Sequence, residues 1–173
     1  MRAGVGVAKT TRLGTTIAWW LLLGGIILLG AGLRLHALGN KSLWLDEITV
    51  AQVVQGDLWH TLLGARSHAS APPLDYLILH ATARVCQNEY CLRFPAAMWG
   101  ILSLSLVYLV GKRLLGRQVG LTAMFLLSIS PFHIRYSQEM KFYSILVLFS
   151  LLSIWFFLQA LHHGTRKAWL LYA

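Results

Sequence analysis

The sequence predicts an all-α integral membrane protein, a multi-span helical bundle with an outer loop that contains short interfacial helices. Three observations predict it. Charged residues make up 12% of the 173-residue chain, against about 25% in soluble domains. The stretches 13–33, 94–111, 118–134 and 142–165 contain no Asp, Glu, Lys or Arg, and roughly 18 such residues, mostly apolar, suffice for a membrane-crossing helix. The basic residues gather at the ends of those stretches, as juxtamembrane Lys and Arg do.

The elements follow in order. Residues 1–14 form a basic leader carrying Arg2, Lys9 and Arg12. The apolar run after it exceeds the ~7–15 residues of a signal-peptide core, so it reads as an uncleaved first span, 15–35. Trp19 and Trp20 near its start suit the interfacial aromatic belt. Gly24, Gly25, Gly30 and Gly32 read as small residues that permit close helix packing. Residues 36–93 form a long outer loop. A second span, 94–115, ends in Lys112, Arg113 and Arg117. A third span, 118–135, leads to an outer turn, 136–141. A fourth span, 142–161, ends before a basic loop, 162–167, and 168–173 begins a fifth.

Positive-inside bookkeeping orients the bundle. Arg2, Lys9, Arg12, Lys112, Arg113, Arg117, Arg166 and Lys167 fall on the side assigned to the cytoplasm. Lys41, Arg66, Arg84 and Arg93 fall outside, with Arg34, Arg135 and Lys141 at outer span ends. Asp46, Glu47, Asp57, Asp75, Glu89 and Glu139, the complete set of acids, all fall outside. The expected location is the plasma or inner membrane, with the N-terminus cytoplasmic and the acidic loop extracytoplasmic. The net charge of +9 does not indicate nucleic acid, because the cations form no basic stripe with interleaved aromatics.

The segment 72–85 is apolar but carries Asp75, His80 and Arg84. It is too short to span, and Pro72-Pro73 is a good helix opening. It reads as an interfacial helix on the outer leaflet, with a re-entrant segment as the alternative. Cys86 and Cys91 lie in the outer loop. A disulfide is chemically allowed there, provided the segment between them is not a regular helix; free thiols are the other reading. No second Cys/His pair stands at zinc spacing.

Two clusters can carry chemistry. Asp46 and Glu47 follow Trp44 at the outer surface. Adjacent helical residues do not share a face, so the two acids have different jobs; Asn40 or Ser42 would cap the helix. An acidic first turn favoured by the helix dipole is the competing account. The second cluster, Tyr136 to Tyr143, holds Gln138, Glu139 and Lys141 beside Arg135 where two spans meet. Ionisable groups at such a boundary are costly and often functional, although Tyr, Lys and Arg also serve there as membrane anchors. Two acidic sites and several cations on one membrane face suit a substrate with a phosphate and a lipid tail. Cations hold a departing phosphate, and a carboxylate takes a proton from an attacking hydroxyl.

Five motifs then follow in order: Leu43-Trp44-Leu45-Asp46-Glu47, Pro72-Pro73-Leu74, Leu92-Arg93-Phe94-Pro95-Ala96-Ala97, Gly111-Lys112-Arg113-Leu114-Leu115-Gly116, and Ser130-Pro131 through Gln138-Glu139. Together they resemble the N-terminal part of a C-type-fold, family 39-like membrane glycosyltransferase, related to protein O-mannosyltransferases and the lipid A aminoarabinose transferase. The resemblance implies an incomplete C-type fold and transfer of a sugar from a polyprenyl-phosphate donor to an acceptor outside the cytoplasm. It implies Asp46 as base or metal-proximal acid, supported by Glu47, and a second acidic site at Gln138 and Glu139. Arg93, Arg135, Gln138 and Lys141, with Tyr143 beside them, become candidates for binding the substrate and its lipid phosphate. A divalent metal, if bound, would meet Asp46 and Glu139; no other cofactor is expected.

The chain departs from the pattern in two places. Ala71 stands where relatives commonly carry His, the nearest being His68. Lys141 stands where many carry Arg, which keeps the charge but loses the bidentate fork. Relatives are also much longer, so the chain is expected to be a fragment, a broken reading frame or one piece of a split enzyme whose partner chain supplies further spans. The alternative function is a non-catalytic membrane subunit or inactive remnant. A transporter ranks last, because the span centres lack polar residues.

Overall fold

The computed structural model describes residues 5–67, 72–164 and 166–172. Ala71 and His68 lie outside them, as do residues 1–4 of the leader. The chain is helical: α1 (Val5–Leu35), α2 (Leu45–Gln55), α3 (Leu58–Ser67), α4 (Pro73–Val85), α5 (Glu89–Leu115), α6 (Arg117–Ile129), α7 (Pro131–Ser137), α8 (Tyr143–His163) and α9 (Arg166–Tyr172). Three stretches are long and apolar enough to cross a membrane: Ile17–Leu35, Glu89–Leu115 and Tyr143–His162.

α5 is the hub, packed against α1, α6 and α8. Leu23 of α1, Leu104 and Tyr108 of α5 and Met124 of α6 form one buried apolar cluster. At its basic end Trp19 Nε1 donates to Tyr108 Oη at 3.2 Å, and the Arg117 guanidinium lies 4.6 Å from the Trp19 ring centroid. α5 and α6 approach closely through Gly111 and Gly120. A Cβ on Gly120 would stand 2.6 Å from the Tyr108 carbonyl and 2.7 Å from the Lys112 amide, so only glycine permits this contact. The first-span glycines behave differently from expectation. Gly30 packs against α5 and α6, but Gly24, Gly25 and Gly32 have nothing within reach of a Cβ.

The expected third span, 118–135, is two helices. Ser130 is extended (ψ 115°) and its side chain caps α7 by accepting from the His133 amide. Pro131 dictates the break, because its ring disfavours helical geometry in the preceding residue and it has no N–H to continue the ladder. The last α6 carbonyls therefore need outside donors. Arg34, fully buried on α1, supplies them, with Nη2 donating to Leu127 O at 3.0 Å and Nη1 to Ser128 O at 3.1 Å. Arg34 Nη2 also stands 2.8 Å from His133 Nδ1; the guanidinium can only donate, so Nδ1 accepts.

At the other end α2, α3 and α4 form a small layer with its own core. Val50, Ala51 and Val54 of α2 meet Ala65 of α3, Tyr76, Leu79 and Ala83 of α4, Leu92 of α5 and Met140. Tyr76, Leu79 and Ala83 fall on one helical face at the spacing that packing requires. α4 is thus a helix as expected, with one face buried against protein. His80 closes the end of α2, Nδ1 donating to Val54 O at 2.8 Å, and Arg84 Nη2 donates to Gly56 O at 2.9 Å. The corner from α4 to α5 is non-helical at Cys86–Asn88, and there Cys86 and Cys91 form a disulfide with Cα atoms 5.9 Å apart.

Asp75 is buried in this layer. Burial raises its carboxyl from the ordinary 3.8 to about 6. The folded state therefore binds a proton more tightly than the unfolded one. The stability this gives is fully present below pH 4 and is lost as pH rises through 6. Asp75→Asn is expected to stabilise the protein by about 2–3 kcal/mol at pH 7.5 and by almost nothing at pH 3.5. Thermal melts in detergent at the two pH values check it; an equal gain at both would refute the linkage.

Candidate functional site

The site is built where the ends of α1, α5 and α7 meet the start of α2 and the turn before α8. At its base Glu47 is buried, with only 2% of its side chain exposed. Its Oε1 accepts from Arg93 Nε at 3.1 Å and from the Met140 amide at 2.7 Å. Its Oε2 accepts from Arg93 Nη2 at 2.6 Å and from the Trp44 amide at 3.1 Å. Four donors fill the four lone-pair positions of a carboxylate. Burial alone would raise this carboxyl, but hydrogen bonds from Arg93 and the two amides, with the Arg93 charge, hold it below the ordinary range.

Arg93 is equally committed. Besides its two bonds to Glu47, Nη1 donates to Leu38 O at 3.1 Å and Lys41 O at 2.8 Å, and Nη2 donates to Ser42 O at 3.1 Å. All five guanidinium donors are therefore used within the protein. The pair ties the 38–44 connection, the first turn of α2, α5 and the 139–141 turn into one unit. The helix cap differs from expectation: Trp44 holds the N-cap position of α2, and Glu47 reaches back to its amide. Neither Asn40 nor Ser42 is the cap.

Gln138 also turns inward. Its Nε2 donates to Leu33 O at 3.1 Å and His36 O at 3.0 Å. With Ala37 in the left-handed region (φ 54°), this finishes the C-terminus of α1, whose last carbonyls have no intrahelical donors.

The remaining predicted site residues face outward together. Met140 is fully buried, pinned by its amide to Glu47. Its neighbours Glu139 and Lys141 point away from that core and keep 22% and 23% of their side chains exposed. Asp46, one residue before Glu47 and so on another helix face, has 76% of its side chain exposed and lies 3.4 Å from Lys141 Nζ. Glu139 Oε1 accepts from Arg135 Nε at 3.1 Å, and Arg135 lies 5.9 Å from the Trp44 ring centroid. Asp46, Glu139, Arg135, Lys141 and Tyr143 line one cleft of about 290 Å³, with Glu47 at its base. Each pair has one well-exposed partner, Arg135 or Asp46, and solvent-screened pairs contribute only about 0–1 kcal/mol, so both can open toward a ligand at little cost.

Tyr136 and Tyr143 form the far wall of the cleft. Their rings pack edge to face at 4.7 Å, and Phe132 continues the stack 4.6 Å from Tyr136. Beyond them lies a largely apolar groove of about 410 Å³ between α6, α7 and α8, lined by Leu127, Phe132, Leu146 and Val147 and also by Tyr136 and Tyr143. Charge in the cleft and hydrocarbon in the groove thus share one wall. Sequence reasoning did not find this groove, nor the structural role of Arg34. The aromatic run Phe132, Tyr136, Tyr143 was the available signal.

Among the described residues no three His, Cys, Asp or Glu side chains come together as metal ligands. Asp46 and Glu139 share the cleft, each already beside a cation.

Neither a curated protein nor a solved structure matches the chain. Residues 70–173 match the family model described as dolichyl-phosphate-mannose-protein mannosyltransferase. The matched stretch contains Arg93, Arg135, Glu139, Lys141 and both tyrosines; Asp46 and Glu47 precede it. With more than half of its length matched, the chain belongs to this family of membrane glycosyltransferases, whose description implies a lipid-phosphate sugar donor.

Proposed function

We propose that the acidic end of the bundle binds a polyprenyl-phosphate sugar on the extracytoplasmic side and passes the sugar to an acceptor hydroxyl. The observation that carries this is the shared Tyr136–Tyr143 wall. A charged cleft and an apolar groove on the two sides of one tyrosine wall fit an amphipathic ligand that passes over it, with its phosphate at Arg135 and Lys141 and its isoprenoid along α6–α8. The acceptor oxygen attacks the sugar's C1 as the C1–O bond to phosphate breaks. The bonding electrons leave on the phosphate, and the Asp46 carboxylate takes the acceptor's proton. Phosphate is a good leaving group once two cations balance its charge, so no general acid is needed. Glu47 and Arg93 position the cleft without touching the ligand. The sidedness rests on the positive-inside distribution and on the disulfide near the acidic end, which suits an oxidising compartment.

A photoactivatable prenyl phosphate, with its diazirine in the first isoprene unit, tests the placement in membranes containing the chain. Label is expected in peptides spanning residues 127–147 and should be displaced by excess farnesyl phosphate. Label confined to α1 or α9, or label that farnesyl phosphate does not displace, would refute the placement.

A further inference from the structure

Trp44, Arg135 and Glu139 line the polar cleft on one side and a second cavity, of about 570 Å³, on the other. The second cavity is walled by the end of α1 and the turn after it, including His36 and Lys41. Asp46, Lys141 and Tyr143 are not among its lining residues. Its wall is rigid by construction. Arg93 holds the carbonyls of Leu38, Lys41 and Ser42, and Gln138 holds those of Leu33 and His36. Its electrostatics are one-sided. The one lining acid, Glu139, pairs with Arg135, and the charge of Arg93 is matched by Glu47 beneath. No lining acid is left to balance Lys41. A preformed concave site with surplus positive charge selects anions.

We propose that this cavity holds the second reactant, an acceptor that carries an anionic group, read by Lys41 and Arg135, next to the hydroxyl that receives the sugar. The inference rests on the donor reading of the neighbouring cleft. Trp44 and Arg135 then form the partition across which the two ligands meet. One cation, Arg135, serves both sides and couples them.

Lysine labelling in membranes carrying the full chain separates the two sites. Pyridoxal 5′-phosphate forms a reducible imine with accessible lysines, and peptide mass spectrometry reads Lys41 and Lys141 individually. Lys41 is expected to label about tenfold faster with pyridoxal 5′-phosphate than with 5′-deoxypyridoxal, which lacks the phosphate and cannot close into a hemiacetal. Glycerol phosphate should protect it, glycerol should not, and Arg135→Gln should shrink the preference. Farnesyl phosphate should protect Lys141 and leave Lys41 reactive. Equal labelling of Lys41 by the two aldehydes, or protection of both lysines by farnesyl phosphate, would overturn the second site. Failure of farnesyl phosphate to protect Lys141, with Lys41 still anion-selective, would instead refute the donor reading and with it the assignment of Lys41 to an acceptor.

Discussion

Glu47→Ala and Arg93→Ala are each expected to cost about 3–5 kcal/mol and to remove most of the folded protein from the membrane. The reason is the orphan each leaves. Without Glu47, a buried guanidinium loses its counter-charge, and the Met140 and Trp44 amides lose their acceptor. Without Arg93, a buried carboxylate stands alone and three loop carbonyls lose their donors. The charge swap Glu47→Arg with Arg93→Glu should not rescue, because a carboxylate at 93 would face carbonyl oxygens and an arginine at 47 would face amide N–H groups. Arg93→Lys should recover little, since an ammonium cannot reproduce five donors in a fixed fork. Size-exclusion recovery and melting in detergent check this; a well-folded swap variant would contradict it. The pH sign is opposite to that of Asp75. The Glu47 carboxyl is held below its ordinary range, so the stability it gives is present above that range and is lost as pH falls through its folded value. Acid therefore weakens the base of the site while relieving the cost of burying Asp75.

Asp46→Asn, one residue away, is expected to leave the fold within about 0.5 kcal/mol of wild type while reducing sugar transfer by about 10²–10⁴-fold. Its side chain is mostly exposed and its pairing with Lys141 is an open one, so little stability is at stake. What is lost is the acceptor of the proton. Lys141→Met should act differently, raising KM for the lipid donor more than it lowers kcat, because it removes a charge that the bound phosphate meets in the ground state as well as in the transition state. Equal melting curves for wild type and Asp46→Asn, measured beside the transfer rates, separate the chemical role from a structural one.

The contrast between these neighbours was legible in advance, because consecutive helical positions face about 100° apart. Three of the four expected spans were legible too, as the long apolar helices Ile17–Leu35, Glu89–Leu115 and Tyr143–His162. The break within the expected third span was not, although Ser130-Pro131 stood in plain sight. A charge-free run reports side-chain polarity, whereas helix continuity depends on a backbone N–H that proline lacks. The resemblance made Arg93 and Gln138 candidates for binding the substrate and its lipid phosphate. Their partners are backbone carbonyls 55 and 105 residues away, and no spacing pattern encodes such bonds. Arg34 was hidden for the same reason; its acceptors exist only because α6 ends where it does. The residues that line the cleft stood out more readily, because Asp46, Glu139, Arg135 and Lys141 put both charge signs beside membrane spans.

The central claim is that Asp46 serves the chemistry of a lipid-phosphate sugar donor and that Glu47 serves the fold. The most direct test incubates membranes carrying the wild-type or the Asp46→Asn protein with a radiolabelled polyprenyl-phosphate mannose and measures sugar transferred per folded molecule. The account predicts transfer by the wild type and a loss of at least about a hundredfold in Asp46→Asn at unchanged melting temperature. Undiminished transfer by Asp46→Asn, or a loss matched by an equal loss of folded protein, would contradict it.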